Sequence, residues 1–179
     1  GVSLIEGSAI LAFGSDTAVV GVVQTPSAAA GQQGWFSMSS LERAVEIAAQ
    51  AHAGQKDKAG AVYLLHPLRV MLSFDDATEA ERIVAVLHDV IEDSKAWTSD
   101  RLLEEGFSEE VVTALESVTK RPGKDDDYMA FVRRAGKNVI GKKVKLADLK
   151  DNLRKLPNPT SADEQRRKKY ETAIRALEV

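Results

Sequence analysis

Ile83-Val84-Ala85-Val86-Leu87-His88-Asp89-Val90-Ile91-Glu92-Asp93 is the stretch on which the reading turns. Its first five residues are apolar on every side, the mark of a helix buried all round. His88 and Asp89 then fall inside that buried element. A buried carboxylate without a partner is costly, so it needs a cation or good hydrogen-bond donors. Neighbouring residues on a helix point about 100° apart, yet two such side chains can converge on one ion at a helix end. Glu92 and Asp93 lie one turn further on, below His88 and Asp89 respectively. Three carboxylates this close repel one another unless positive charge lies among them. Taken alone, the stretch also fits a structural His-Asp pair beside two solvated acids.

A second segment, Val144-Lys145-Leu146-Ala147-Asp148-Leu149-Lys150-Asp151-Asn152, strengthens the metal reading. Leu146, Leu149, Leu153 and Leu156 make a core stripe at helical spacing. Lys145, Asp148 and Asn152 form an adjacent polar stripe at i, i+3 and i+7 that can face one cleft. His66 precedes Pro67, which disfavours the right-handed helical region and predicts a loop–helix junction. A ligand and an ordinary helix cap both suit that place. His52 lies on the inward stripe of its helix and reads as a hydrogen-bonded core histidine.

Outward from these segments the pattern is helical. Ser39 or Ser40 can cap a helix carrying Leu41, Ala44, Val45, Ala48 and His52. Gly54 and Gly60 bracket a polar loop, and Pro67 fits a first helical position, opening a short helix through Val70 to Phe74. Thr78 and Glu81 have capping-box spacing ahead of Ile83–Ile91, and Ser161 and Glu164 repeat it before the last helix. Further helices are expected over Ser99–Glu105, from Phe107-Ser108 through Val118, and over Asp125–Ala135 and Asn138–Leu156. Residues 1–38 differ in composition. Ala9–Phe13 and Thr17–Gln24 are short β-favouring runs around Gly14-Ser15-Asp16, which predicts a hairpin. This segment reads as an appendage, either a native extension or upstream sequence translated with the gene. Its apolar side chains could dock on the main body or on a second subunit, so a homo-oligomer is one expectation. The expected organisation is an extension over 1–38 and a helical domain over 39–179.

Composition narrows the function classes. The 179 residues suffice for one domain, with 44% hydrophobic and 28% charged residues. A net charge of −3 gives no sign of the basic face that a duplex-binding protein carries. No apolar run approaches the roughly 18 residues that span a bilayer. Residues 1–42 lack the Lys or Arg that begins a secretory signal, so none is expected. The absence of cysteine rules out thiolate sites and fits a cytoplasmic protein. A metal here must be held by imidazole and carboxylate.

Ala51-His52-Ala53-Gly54-Gln55, then Lys58, Gly60 and Tyr63-Leu64-Leu65-His66-Pro67, then Leu87 to Asp93, Val118-Thr119-Lys120, and Val144 to Asp148 with Asn152 occur in one order. Together they resemble the HD-domain hydrolases of guanosine tetra- and pentaphosphate, the RelA/SpoT hydrolase type, in their small single-domain form. The likeness spans about Ser39 to Leu177. It implies an all-α HD-domain helical bundle and a divalent ion, usually manganese, held by His66, His88, Asp89 and Asp148. It further implies water activation and catalysis by Glu92 and Asp93, and nucleotide contacts from Lys58, Lys145 and Asn152. The expected products are pyrophosphate and guanosine 5′-di- or triphosphate. Two imidazoles and two carboxylates suit a borderline divalent ion, and such an ion acidifies water and offsets phosphate charge. The sequence departs from the pattern at Gln55-Lys56-Asp57-Lys58. Many relatives carry near the base an arginine where this chain has Asp57, which cannot stack as a guanidinium does. Hydrolysis of another nucleotide and non-catalytic nucleotide sensing therefore stand as alternatives. Nothing in the chain resembles the synthetase half of the long bifunctional relatives, so synthesis is not expected.

Overall fold

A computed structural model describes residues 39–121, 127–156 and 160–179. Among them lie nine α-helices: α1 Leu41–Ala51, α2 Leu65–Leu72, α3 Glu79–Leu87, α4 Val90–Asp93, α5 Ser99–Glu104, α6 Glu109–Val118, α7 Tyr128–Gly136, α8 Val139–Arg154 and α9 Ser161–Glu178. The expected all-α bundle is what the described residues form. The hairpin, and the docking surface suggested for residues 1–38, lie outside the described residues.

Side-chain caps set where the helices start. Ser40, Ser108 and Asn138 each accept from the backbone N–H three residues on, satisfying a donor that the first turn leaves open. Thr78 and Glu81 form the full reciprocal capping box. The last helix begins differently from expectation: its cap is Thr160, whose hydroxyl accepts from Asp163 N–H, rather than Ser161 with Glu164. Asp163 supplies a carboxylate at the third position, so the same chemistry operates one residue earlier. Proline also sits deeper than expected. Helix α2 starts at Leu65, placing His66 inside its first turn and Pro67 third. The first four N–H groups of a helix have no intrahelical acceptor, so a missing one at Pro67 costs nothing there.

Helix α3 is the central element, packing on α1, α2, α6 and α8. Ile83 through Leu87 are all buried, as their unbroken apolar run requires. The run does not continue as one helix to Ile91. It breaks at His88 and Asp89, and α4 leaves from Asp89 as its cap. Helix α8 lies across α2, α3, α6, α7 and α9, and Lys143 on it pairs with the buried Glu81 of α3. A smaller cluster of Val132, Leu149, Ala173 and Leu177 fixes α9 to α7 and α8. Between α1 and α2, Gly54 and Gly60 take positive φ angles of 75° and 82°, and Lys56 pairs with Val62 in a single antiparallel bridge. Among the described residues no helix is long and apolar enough to cross a membrane.

The approach of α8 to α6 depends on Gly141. A methyl group there would stand 2.1 Å from Ser117 Oγ and 3.3 Å from the Ala135 carbonyl. Gly141→Ala should therefore cost about 1–3 kcal/mol through overpacking, read as a fall in melting temperature. Adding Ser117→Gly should recover part of the loss. An unchanged melting temperature would show that α8 is not seated as described.

Candidate metal centre

The break between α3 and α4 turns His88 and Asp89 toward α2 and α8. His88 Nε2 stands 3.1 Å from Asp89 Oδ2 and 3.8 Å from Asp148 Oδ1. His66 Nε2 stands 3.2 Å from Asp148 Oδ1 and 3.7 Å from Asp89 Oδ2. One atom each from His66, His88 and Asp89 lies within 4.8 Å of the others, and Asp148 reaches both rings from the α8 side. The four residues expected as ligands are thus brought to one place from three separate parts of the chain.

Both imidazoles are fixed through their outer nitrogens. His88 Nδ1 is 2.8 Å from the Ala85 carbonyl oxygen, which can only accept, so Nδ1 carries the proton. His66 Nδ1 is 2.8 Å from Asp151 Oδ2. Asp151 is itself gripped by Arg69, at 2.9 and 3.0 Å, and by Arg154 at 2.9 Å. Its carboxyl is held well below the usual range: burial opposes this, but the bonds from Arg69, His66 and Arg154 outweigh it. Each ring therefore presents Nε2 inward, the arrangement by which a second ring of contacts orients imidazole ligands. The carboxylates are steadied as well. The Tyr63 hydroxyl donates to Asp89 Oδ2 at 2.6 Å. Lys145 Nζ donates to Asp148 Oδ2 at 2.8 Å, and Asn152 Nδ2 donates to Asp148 Oδ1.

Electrostatics and hydrogen bonding both fit a cation at this point. His88 Nε2 is buried with no hydrogen-bond partner, although Asp89 Oδ2 lies 3.1 Å away. An inward Nε2 with no hydrogen-bond partner, lying near two carboxylates, is available to a metal ion. Burial alone would lower the His88 pKa, but the charges of Asp89 and Asp148 raise it to about 9. Both aspartates stay ionised despite burial, Asp89 through His88 and Asp148 through Lys145 and the two rings. Without an ion the centre takes a proton in its place. A divalent cation offers more positive charge to the same two carboxylates and leaves both imidazoles neutral.

Beside this centre opens a cleft of about 180 Å³, onto which His66, Asp89, Glu92, Lys145, Asp148 and Asn152 all face. Glu92 is anchored at its mouth, accepting from Lys120 N–H at 3.1 Å and pairing with Lys120 Nζ at 3.4 Å. Asp93 lies to the other side, with its Oδ2 at 3.9 Å from His52 Nδ1. Burial and the charge of Asp89 raise its pKa. Lys58 is exposed on the loop after α1 and is not among the residues lining the cleft. The expectation that it contacts the nucleotide therefore finds no geometric support. Asp57 is committed elsewhere: it accepts from Ala59 and Ala61 N–H at 3.0 and 2.9 Å and pairs with Lys155 at 2.8 Å. His52 is buried, with Nδ1 2.9 Å from Gln55 Oε1, and its Nε2, like that of His88, has no hydrogen-bond partner.

Several contributors had escaped the sequence reading. Tyr63 was visible only as part of a motif. Asp151 stands three residues after Asp148, a helical turn away, and that spacing was its one signal. Lys120, Lys169, Tyr128 and Tyr170 complete the cleft wall. Lys169 Nζ lies 3.8 Å above the Tyr128 ring, and burial together with Lys120 and Lys145 lowers its pKa. A lysine on the polar helix α9 carries no pattern that marks it for a cleft.

Two outcomes check this geometry. Histidine in an unfolded chain titrates near 6.5, so a folded value of about 9 stabilises the metal-free fold fully below pH 6.5. That contribution disappears as pH rises to about 9. The melting temperature of metal-free protein should fall over that window, while added divalent ion should raise it more at the alkaline end; parallel profiles would contradict the shared site. Asp151→Asn should weaken ion binding about 10–100-fold by calorimetry, and undiminished affinity would deny Asp151 its orienting part.

The comparisons agree with this arrangement. Residues 44–127 match the HD domain family model. The guanosine-3′,5′-bis(diphosphate) 3′-pyrophosphohydrolase of Aquifex aeolicus is 32% identical over 124 residues, covering 65% of this chain and 18% of that protein. The bifunctional (p)ppGpp synthase/hydrolase SpoT of Escherichia coli is 29% identical over 143 residues, covering 74% of this chain and 20% of the relative. This chain thus spans about a fifth of each. A solved structure described as a metazoan ortholog of SpoT that hydrolyzes ppGpp superposes with a TM-score of 0.63 at 26% identity, covering 76% of this chain and 82% of that one. Residues 44–127 thus match the HD domain model, with its HD pair at the helix break that organises the centre, and the helical part of the chain is similar to hydrolases of the RelA/SpoT type.

Proposed function

We propose that the chain removes the 3′-pyrophosphate of guanosine tetra- or pentaphosphate by hydrolysis, with His66, His88, Asp89 and Asp148 holding one divalent ion, manganese by family resemblance. The observation that carries this reading is a buried imidazole–carboxylate cluster opening directly onto a cleft walled by Lys120, Lys145 and Lys169. Acidic side chains gather a cation, and lysines beside them gather phosphate oxygens. The ion supplies Lewis acidity, promoting loss of a proton from water and offsetting negative charge on the phosphorus attacked. Glu92, on the cleft wall, or Asp93, whose pKa is raised and which lies one helical turn after Asp89, accepts or orients the proton of the attacking water. A new P–O bond forms to water oxygen while the ester bond to the 3′ oxygen breaks, and a proton passes to that oxygen to give the 3′ hydroxyl. Pyrophosphate leaves, with guanosine 5′-di- or triphosphate as the other product. Lys145 keeps Asp148 ionised, and Asn152 extends along the cleft from the same face of α8.

A second reading keeps this chemistry and changes the base. The loop after α1 bears Asp57 where many relatives have arginine, and Asp57 is engaged by Lys155 rather than left to face a ligand. Selection of guanine would then come from elsewhere in the cleft.

A nucleotide panel separates the readings. Guanosine 3′,5′-bis(diphosphate) with manganese should yield pyrophosphate, with no orthophosphate from mononucleotides. Release of orthophosphate from many nucleotides would move the assignment to a general nucleotidase, and absence of turnover in ion-loaded protein would favour sensing. Glu92→Gln and Asp93→Asn should each keep the ion and lose about 10²–10⁴-fold in kcat; full activity in both would refute their assignment.

A further inference from the structure

Helix α8 has a second occupied face. Lys145, Asp148 and Asn152 look into the catalytic cleft, while Lys143, Leu146, Ala147, Lys150 and Arg154 lie on the opposite side of the helix. With the end of α2 this other face encloses a groove of about 640 Å³, within the size range of small-molecule sites. The floor is apolar, made by Leu72, Phe74, Leu146 and Ala147, and Leu72 is 69% exposed. Four cations surround it, Arg69, Lys143, Lys150 and Arg154, against a single lining carboxylate, Asp151. Lys150 pairs with Glu178 through exposed ends, and such surface pairs exchange readily, whereas Lys143 is held by the buried Glu81.

The geometry points to this groove as a second nucleotide-binding site, in which phosphates compete with Asp151 for Arg69 and Arg154 while the base lies on the apolar floor. Charge complementarity selects the ligand class: a flat apolar ring needs the floor, and a phosphate chain needs the cations at its rim. The groove also has a physical link to the metal centre. Asp151 holds His66 Nδ1 at 2.8 Å and is held by both guanidiniums. Drawing Arg69 and Arg154 toward a phosphate frees Asp151 from two of its three partners and changes the charge that His66 feels. Reciprocity requires that whatever alters Asp151 also alters the groove. Only this link rests on His66 being a ligand; binding in the groove does not.

The test uses the full chain without metal, in chelator, with N-methylanthraniloyl-ADP as the fluorescent probe. A background of Lys120→Ala and Lys169→Ala removes two of the three lysines that wall the catalytic cleft and so weakens phosphate binding there. Probe binding should survive in that background, and Lys150→Glu added to it should weaken binding at least tenfold. Asp151→Asn should instead strengthen it at least threefold, because it releases both arginines and removes the one negative charge of the groove. Circular dichroism confirms that each variant is folded. Loss of binding in the background alone, indifference to Lys150→Glu, or weaker binding in Asp151→Asn would each overturn the proposal. Capture of a polyglutamate peptide in place of the nucleotide would also overturn it, by assigning the groove to an acidic polypeptide.

Discussion

Asp148 is buried and Asp89 half-buried beside it, so two ionised carboxylates meet largely out of water, and the neighbouring residues are arranged to tolerate that charge. Burying an unpaired carboxylate is among the costliest acts in a fold. Here Lys145 takes Asp148 Oδ2, while Asn152 and Tyr63 donate to Asp148 Oδ1 and Asp89 Oδ2, the same two oxygens that face the imidazole nitrogens. One of those nitrogens has no hydrogen-bond partner at all. The remaining deficit is positive charge, and its place is the point where the four side chains meet.

This constraint explains features of the fold that packing alone would not require. Helix α3 is apolar enough to continue into Ile91, yet it stops at His88 so that consecutive side chains can turn to one side. His66 enters within the first turn of α2, where Asp151 of α8 can take its outer nitrogen. The seating of α8 against α3 and α6 is correspondingly tight, with Gly141 over Ser117 and Lys143 on Glu81. Rigid placement of α8 matters because it carries Asp148 on one face and the guanidinium that steadies Asp151, Arg154, on another.

Much of this was legible in the residues. The all-apolar run of α3 announced a buried helix, and an HD pair at its end announced buried charge. The caps at Ser40, Thr78, Ser108 and Asn138 follow from local chemistry. Other features depend on tertiary geometry that a linear pattern does not encode. Pro67 could take several first-turn positions, since each lacks an acceptor for its N–H, and the sequence does not choose among them. Thr160 and Ser161 are equivalent as caps until the chain before them is placed. Lys169 and Tyr170 join the cleft only because Ala173 and Leu177 anchor α9 against α7 and α8. Lys58 fell outside the cleft because a motif position fixes order along the chain, not the direction in which a loop side chain extends.

Anomalous diffraction at the manganese edge, from crystals grown with the ion, tests the shared ion site most directly. A single strong peak is expected within bonding distance of His66 Nε2, His88 Nε2, and one oxygen each of Asp89 and Asp148. A peak elsewhere, or manganese soaks that leave His88 Nε2 facing no ion, would contradict it.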